Sequence, residues 1–152
     1  MHYQDLVILV TAATPLIELR GAIPLGLSMG IPIERVFIFS VIGNILPIPF
    51  ILIGISLIMQ YLRLIPKLHA WVERKGIHGS SKLNNHFQKW GWLALLIFVA
   101  IPLPGTGAWT GALAASLLKL KFWPSFISIA LGVICAGLLV SGLSIGVITL
   151  VK

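Results

Sequence analysis

Pro15-Leu16-Ile17-Glu18-Leu19-Arg20-Gly21-Ala22-Ile23-Pro24 is the stretch on which the fold turns. It lies inside an apolar run from Leu6 to Ile33 and holds that run's charges, Glu18 and Arg20. A carboxylate and a guanidinium at membrane depth are expensive and point to function. Pro15, Gly21 and Pro24 bracket them with residues that break helices. The piece before the charges, Leu6 to Ile17, would be about 18 Å long as helix, against a hydrocarbon core about 30 Å thick. It is too short to cross. The stretch therefore reads as the tip of a re-entrant hairpin, in which two half-helices meet at a broken, charged turn. Such backbone survives at membrane depth where it is packed in protein or lines a wet cavity. The competing reading is one proline-kinked span with a structural ion pair.

Composition sets the class. Of 152 residues, 58% are hydrophobic and 10% charged, with a mean hydropathy of +1.03. A soluble domain is nearer a quarter charged, so this is an all-α integral membrane protein with a single membrane domain. The net charge of +7 does not imply nucleic acid. Arg63, Lys67, Arg74, Lys75, Lys82 and Lys89 all fall in one connecting segment, where basic residues orient a membrane protein and hold anionic lipid heads. Cys135 stands alone in an apolar run and reads as a small packing residue. The opening Met-His-Tyr-Gln-Asp has no basic region of the kind that begins a signal peptide.

Val36 to Leu62 is uncharged and long enough to span, with Pro47 and Pro49 interrupting it after Gly43-Asn44. Asn44 is a polar group in hydrocarbon, a partner either for a facing helix or for the charged tip. From Leu62 to Lys75 apolar residues recur at helical spacing among basic ones, the pattern of an amphipathic helix lying in the interface. Leu83, Phe87 and Trp90 suggest a second short interfacial helix. His69, His78 and His86 share no metal-binding spacing, and no cofactor motif is present.

A second break follows: Pro102-Leu103-Pro104-Gly105-Thr106-Gly107-Ala108-Trp109-Thr110-Gly111. Two prolines and three glycines do not make a regular helix. Gly105 and Gly107 permit close backbone approach, and exposed amides at such a tip, with the Thr106 and Thr110 hydroxyls, suit an anion. Close helix packing through small residues is the plainer reading. Phe122 to Val151 is a second uncharged span, with small residues for helix contact.

An 89-position shift sets Pro15 on Pro104, Arg20 on Trp109, Phe37 on Phe126 and Gly43 on Gly132. The order of elements repeats as well: broken hairpin, short turn, span. The expected fold is two inverted repeats, residues 1–62 and 92–152, each a re-entrant hairpin plus one transmembrane helix. An amphipathic linker, 63–91, joins them. Positive residues place that linker on the cytoplasmic side, and both termini outside, in the cell membrane of a prokaryote.

Glu18-Leu-Arg20-Gly-Ala-Ile-Pro24 followed by Pro102-Leu-Pro104-Gly-Thr-Gly107 resembles the small multi-drug export protein family over essentially the whole chain. That family looks like a distant, minimal relative of the DedA superfamily, whose members are built from inverted re-entrant hairpins and handle lipid phosphates. The resemblance carries over Glu18, Arg20 and the Pro/Gly tip residues; the arginine typical of the second DedA hairpin is missing here. It implies a transporter, not an enzyme, moving an amphiphilic anion such as a polyprenyl-phosphate carrier lipid; by its chemistry the Arg20 fork would hold the headgroup, and Glu18 would exchange a proton or balance Arg20 when the site is empty. Export of lipophilic cations with Glu18 as the substrate site is an alternative, and a non-transporting scaffold is another. The expected substrate contacts are Glu18, Arg20, Thr106, Gly107, Trp109 and Thr110, with Asn44 behind them. Pro15, Gly21, Pro24, Pro102, Pro104 and Gly105 would shape the tips. Expected partners are membrane lipids and a second copy of the chain in a dimer, with no nucleic acid.

Overall fold

The computed structural model describes residues 3–62, 81–103 and 105–151. Every regular element among them is a helix: α1 Tyr3–Ala13, α2 Glu18–Ser28, α3 Ile33–Ile45, α4 Ile48–Leu62, α5 Ser81–Ala100, α6 Ala108–Leu117 and α7 Phe122–Val151. The interfacial helix expected within 62–75 falls almost wholly outside the described residues, as does Pro104.

Two stretches are long and apolar enough to cross a membrane, Ile33–Ile55 and Phe122–Val147. The first runs through the α3–α4 joint. Pro47 and Pro49 bring no N–H to that joint, so the ladder loses bonds and kinks there. It continues on either side, with Leu46 N–H on the Ile42 carbonyl at 3.0 Å and Ile51 N–H on that of Pro47 at 3.1 Å. Tyr3–Ala13, Trp90–Ala100 and Ala108–Leu117 are apolar but shorter. The surface is inverted relative to a soluble protein. Leu138, Leu143 and Phe50 face outward, while Asp5, Glu18, Ser40 and Asn44 are buried. With two apolar spans, that distribution describes an integral membrane protein.

Both breaks are shorter than the sequence suggests. The first is Thr14–Ile17 and the second runs from Ile101 to Gly107. Arg20, Gly21 and Pro24 belong to α2, and Trp109, Thr110 and Gly111 to α6. A proline removes one N–H and crowds one carbonyl; Pro24 faces outward, where the helix can bend to relieve it. Gly21 stays helical because its missing side chain leaves room for Ile17, whose Cγ2 a Cβ there would strike. Leu83, Phe87 and Trp90 do not form a separate short helix. They lie in one continuous helix, α5, 20 residues long, because only Gly91 interrupts the run and a single glycine is tolerated. Cys135 is exposed on α7 rather than packed.

Helix α1 lies along α3, and α5 along α7. Glycines on the longer helices allow these approaches: Gly43 backs onto the Leu9 carbonyl and Gly132 onto that of Leu96. Helix α2 also packs on α3 and α7, and α6 on α4 and α7. The turns after α2 and α6 share one hydrogen-bond pattern. Ile31 N–H reaches the Gly26 carbonyl at 3.2 Å and Gly30 N–H that of Leu27 at 3.0 Å. Leu120 N–H reaches Ala115 at 3.0 Å and Lys119 N–H reaches Ser116 at 3.1 Å. This is the Schellman closure, which needs a left-handed residue. Gly30 supplies it at φ 73°, but in the second turn Lys119 does so at φ 54°. Lys119→Gly is therefore expected to stabilise the protein by about 1 kcal/mol. An unfolding midpoint in lipid–detergent micelles that stayed level or fell would contradict this.

Candidate functional site

The site grows from two helix ends that cannot satisfy themselves. Helix α6 begins at Ala108 with Gly107 as its N-cap, and Gly107 has no side chain to accept from the first amides. Glu18 does so from the other hairpin: Trp109 N–H donates to Glu18 Oε1 at 3.3 Å. Trp109 is the second residue of α6, where a capping side chain ordinarily acts. The carboxylate thus lies at the positive end of the α6 dipole. Glu18 is 6% exposed, and its backbone is left-handed at φ 53°. Non-glycine residues in that region store strain and cluster at functional sites.

Gly107 makes the approach possible by size. A Cβ on Gly107 would overlap the Glu18 carboxylate, whereas its backbone, φ −78° and ψ −173°, is extended and open to any residue. Gly105 is the opposite case. At φ 83° it needs glycine's conformational freedom, yet a Cβ there would meet nothing.

Arg20 serves the second break, just beyond the end of α5 at Ala100. Arg20 Nη1 donates to the Leu103 carbonyl, and Nη2 to Thr106 Oγ1 at 3.0 Å and, at 3.4 Å, to the carbonyl of Ile101. A cation at a helix C-terminus also complements the dipole. Thr106 Oγ1 lies 2.7 Å from the Ile101 carbonyl and 2.8 Å from that of Leu103. Its single hydroxyl proton serves one of them at a time. Glu18 and Arg20 thus do not close on each other. Among the described residues the salt bridge is Asp5–Arg35, at 2.7 Å.

The second tip answers in kind. Trp109 Nε1 donates to the Ala13 carbonyl, the last of α1, at 3.3 Å. Each hairpin therefore caps a helix end of the other. Other expected site residues lie differently. Thr110 Oγ1 bonds back to the Gly107 carbonyl at 3.0 Å, Pro24 faces outward, and Asn44 is buried with its Oδ1 lacking a protein partner.

The sequence profile of one family, described as "Putative small multi-drug export protein", matches residues 18–139. The chain belongs to this family. No curated protein sequence and no solved structure matches it significantly. The matched region starts at Glu18 itself, directly after the first break, and takes in α2 to α6, the second break and most of α7. Asp5 lies outside it. The Asp5–Arg35 bridge, which ties the first turn of α1 to the first turn of α3, is not foreseen from the sequence. Its one signal is an acid in the opening turn of an apolar helix.

Proposed function

We propose that the protein is a membrane transporter whose substrate site is the meeting of the two tips, and that it moves an amphiphilic anion such as a polyprenyl phosphate in exchange for protons at Glu18. One observation carries this reading: Arg20 of the first tip donates to Thr106 of the second, and the Trp109 amide, three residues on from Thr106, donates to Glu18 of the first, so two donors stand close together on internal acceptors. An arriving phosphate offers oxygens to both. Arg20 would exchange backbone carbonyls for a forked bond to the headgroup. The α6 N-terminus would exchange one anion for another, and the displaced Glu18 would leave with a proton. At membrane depth polar groups need partners in every state, so internal partners for an empty site favour such an exchange.

The family description favours a second reading, drug export, in which lipophilic cations would take Glu18 and the tip carbonyls as acceptors. Reconstituted protein separates the two. With a fluorescent polyprenyl-phosphate analogue as probe, Arg20→Lys is expected to lower flux at least about tenfold, because the fork is lost. Mild loss with Arg20→Lys, together with abolished tetraphenylphosphonium export in Glu18→Gln, would move the assignment to cations.

The same reading treats the chain as two inverted repeats, with α1–α2 and α5–α6 as re-entrant hairpins. The repeated Schellman turn, the paired Gly43 and Gly132 approaches and the reciprocal capping support it. Cysteines at His2 and Lys152, in a Cys135→Ser background, should label on intact cells; labelling only after lysis would favour four simple spans. A second copy completes the site. Leu16 at the first tip is 95% exposed beside these buried charges, and Leu103 at the second is 56% exposed, a surface suited to a two-fold partner. An active monomer in nanodisc mass measurements would remove the dimer.

A further inference from the structure

The α3 helix carries two buried polar side chains that no protein atom satisfies, Ser40 through Oγ and Asn44 through Oδ1. They are 0% and 1% exposed. Four residues apart, they lie on one face of α3, with Cβ atoms about 5–6 Å apart. Leaving such atoms dry costs about 1–3 kcal/mol each. Buried polar atoms of this kind are ordinarily satisfied by ordered water.

Their depth is fixed by packing. Arg35, at the start of α3, pairs with Asp5 at the start of α1, while Gly43 near the end of α3 touches Leu9 and Ala12 near the end of α1. The two helices are parallel. Helix α2 returns antiparallel, and its Gly26 backs onto Val36 of α3 and Ile8 of α1. Eight residues back along α2 from Gly26 is Glu18, and eight residues forward along α3 from Val36 is Asn44. Each step is about 12 Å at 1.5 Å per residue, so Asn44 and Glu18 stand at one level. Ser40 lies about 7.5 Å beyond Arg35 along the axis, and Asn44 about 13.5 Å beyond it. Two buried carboxylates, Asp5 and Glu18, therefore mark the ends of a row whose middle is Ser40 and Asn44.

We infer that Ser40 and Asn44 hold a short file of buried water between α1, α2 and α3, and that this file carries protons between the Asp5–Arg35 end of the protein and Glu18. The inference deepens the transport reading and rests on Glu18 as its proton-exchanging group. Each transfer passes a proton from one water or hydroxyl to the next while the acceptor releases another, so no bond is left unbalanced. Ser40 can both accept and donate. Asn44 Oδ1 fixes a water without relaying. The charged groups around the row are Glu34 and Arg35 beside Asp5, and Arg20 beside Glu18. Helices α4, α6 and α7 carry none, nor does α5 from Trp90 to Ala100.

Two measurements on the whole chain in nanodiscs test it, both without substrate. A high-resolution structure should show ordered water within about 3.2 Å of Ser40 Oγ and of Asn44 Oδ1. Dry packing at both atoms overturns the inference. Infrared spectroscopy after a pH jump should show a carboxyl band that Glu18→Gln abolishes. Its rise should slow at least about tenfold in Ser40→Ala and Asn44→Leu, and Ser40→Ala keeps the test if the larger change misfolds. Wild-type rates in the folded variants, or no Glu18 band at any pH, overturn it. Normal wild-type protonation with no transport of either probe would instead remove the transport reading and leave the water file standing.

Discussion

Arg20→Ala is expected to reduce transport about 100-fold while most of the protein still folds. Loss of about 3 kcal/mol of charge-assisted hydrogen bonding in the rate-limiting state corresponds to that factor. The folding cost is smaller for a structural reason. The acceptors that lose Arg20 are the Ile101 and Leu103 carbonyls and Thr106 Oγ1. Thr106 keeps its own bonds within the tip, and the Ile101 carbonyl keeps the Leu103 N–H at 2.9 Å. Flux in proteoliposomes, normalised to protein that elutes as folded, reads the effect. Wild-type flux from Arg20→Ala would remove Arg20 from the mechanism.

Gly107→Ala is expected to destabilise by about 2–3 kcal/mol and to abolish transport. The added methyl would occupy the volume of the Glu18 carboxylate. Either Glu18 is driven off the α6 amides, leaving a buried acid and an uncapped helix, or α6 shifts and the Arg20 contacts follow. Backbone conformation is not at issue, since alanine adopts φ −78°, ψ −173° without strain. Withdrawing the carboxylate by one methylene should therefore compensate. The double variant Gly107→Ala/Glu18→Asp should be more stable than the sum of its single changes, a coupling read from unfolding midpoints. Strict additivity would mean that contact between Glu18 and Gly107 is not what limits the site.

Much of this arrangement is legible in the sequence, for identifiable reasons. Charges are rare at membrane depth, so Glu18 and Arg20 stand out, and Pro/Gly clusters mark both breaks. Gly43 and Gly132, aligned by the 89-position shift, both prove to sit at close helix approaches. The extent of the breaks is not legible. Proline and glycine signal a boundary without saying on which side of it the helix resumes, and Pro24 and Gly111 prove compatible with helix. The expectation of a broken turn holding both Glu18 and Arg20 fails for a related reason. Arg20 already lies in the first turn of α2, and the left-handed backbone at Glu18 sends the two apart. Their partners are mainly backbone atoms, the carbonyls of Ile101 and Leu103 and the amide of Trp109, and backbone atoms carry no residue signature. Only once α6 is known to start after an uncapped glycine does the need for an outside acceptor become visible, and Glu18 is the acid that fills it.

The most direct measurement is a structure determined in native membrane lipid, with an anionic headgroup sought at the meeting of the tips. The expected result is headgroup density within about 3 Å of the Arg20 guanidinium and the Trp109 amide, with the Glu18 carboxylate moved off α6. Substrate density elsewhere in the protein, with Arg20 still on Leu103 and Glu18 still on Trp109, would contradict it.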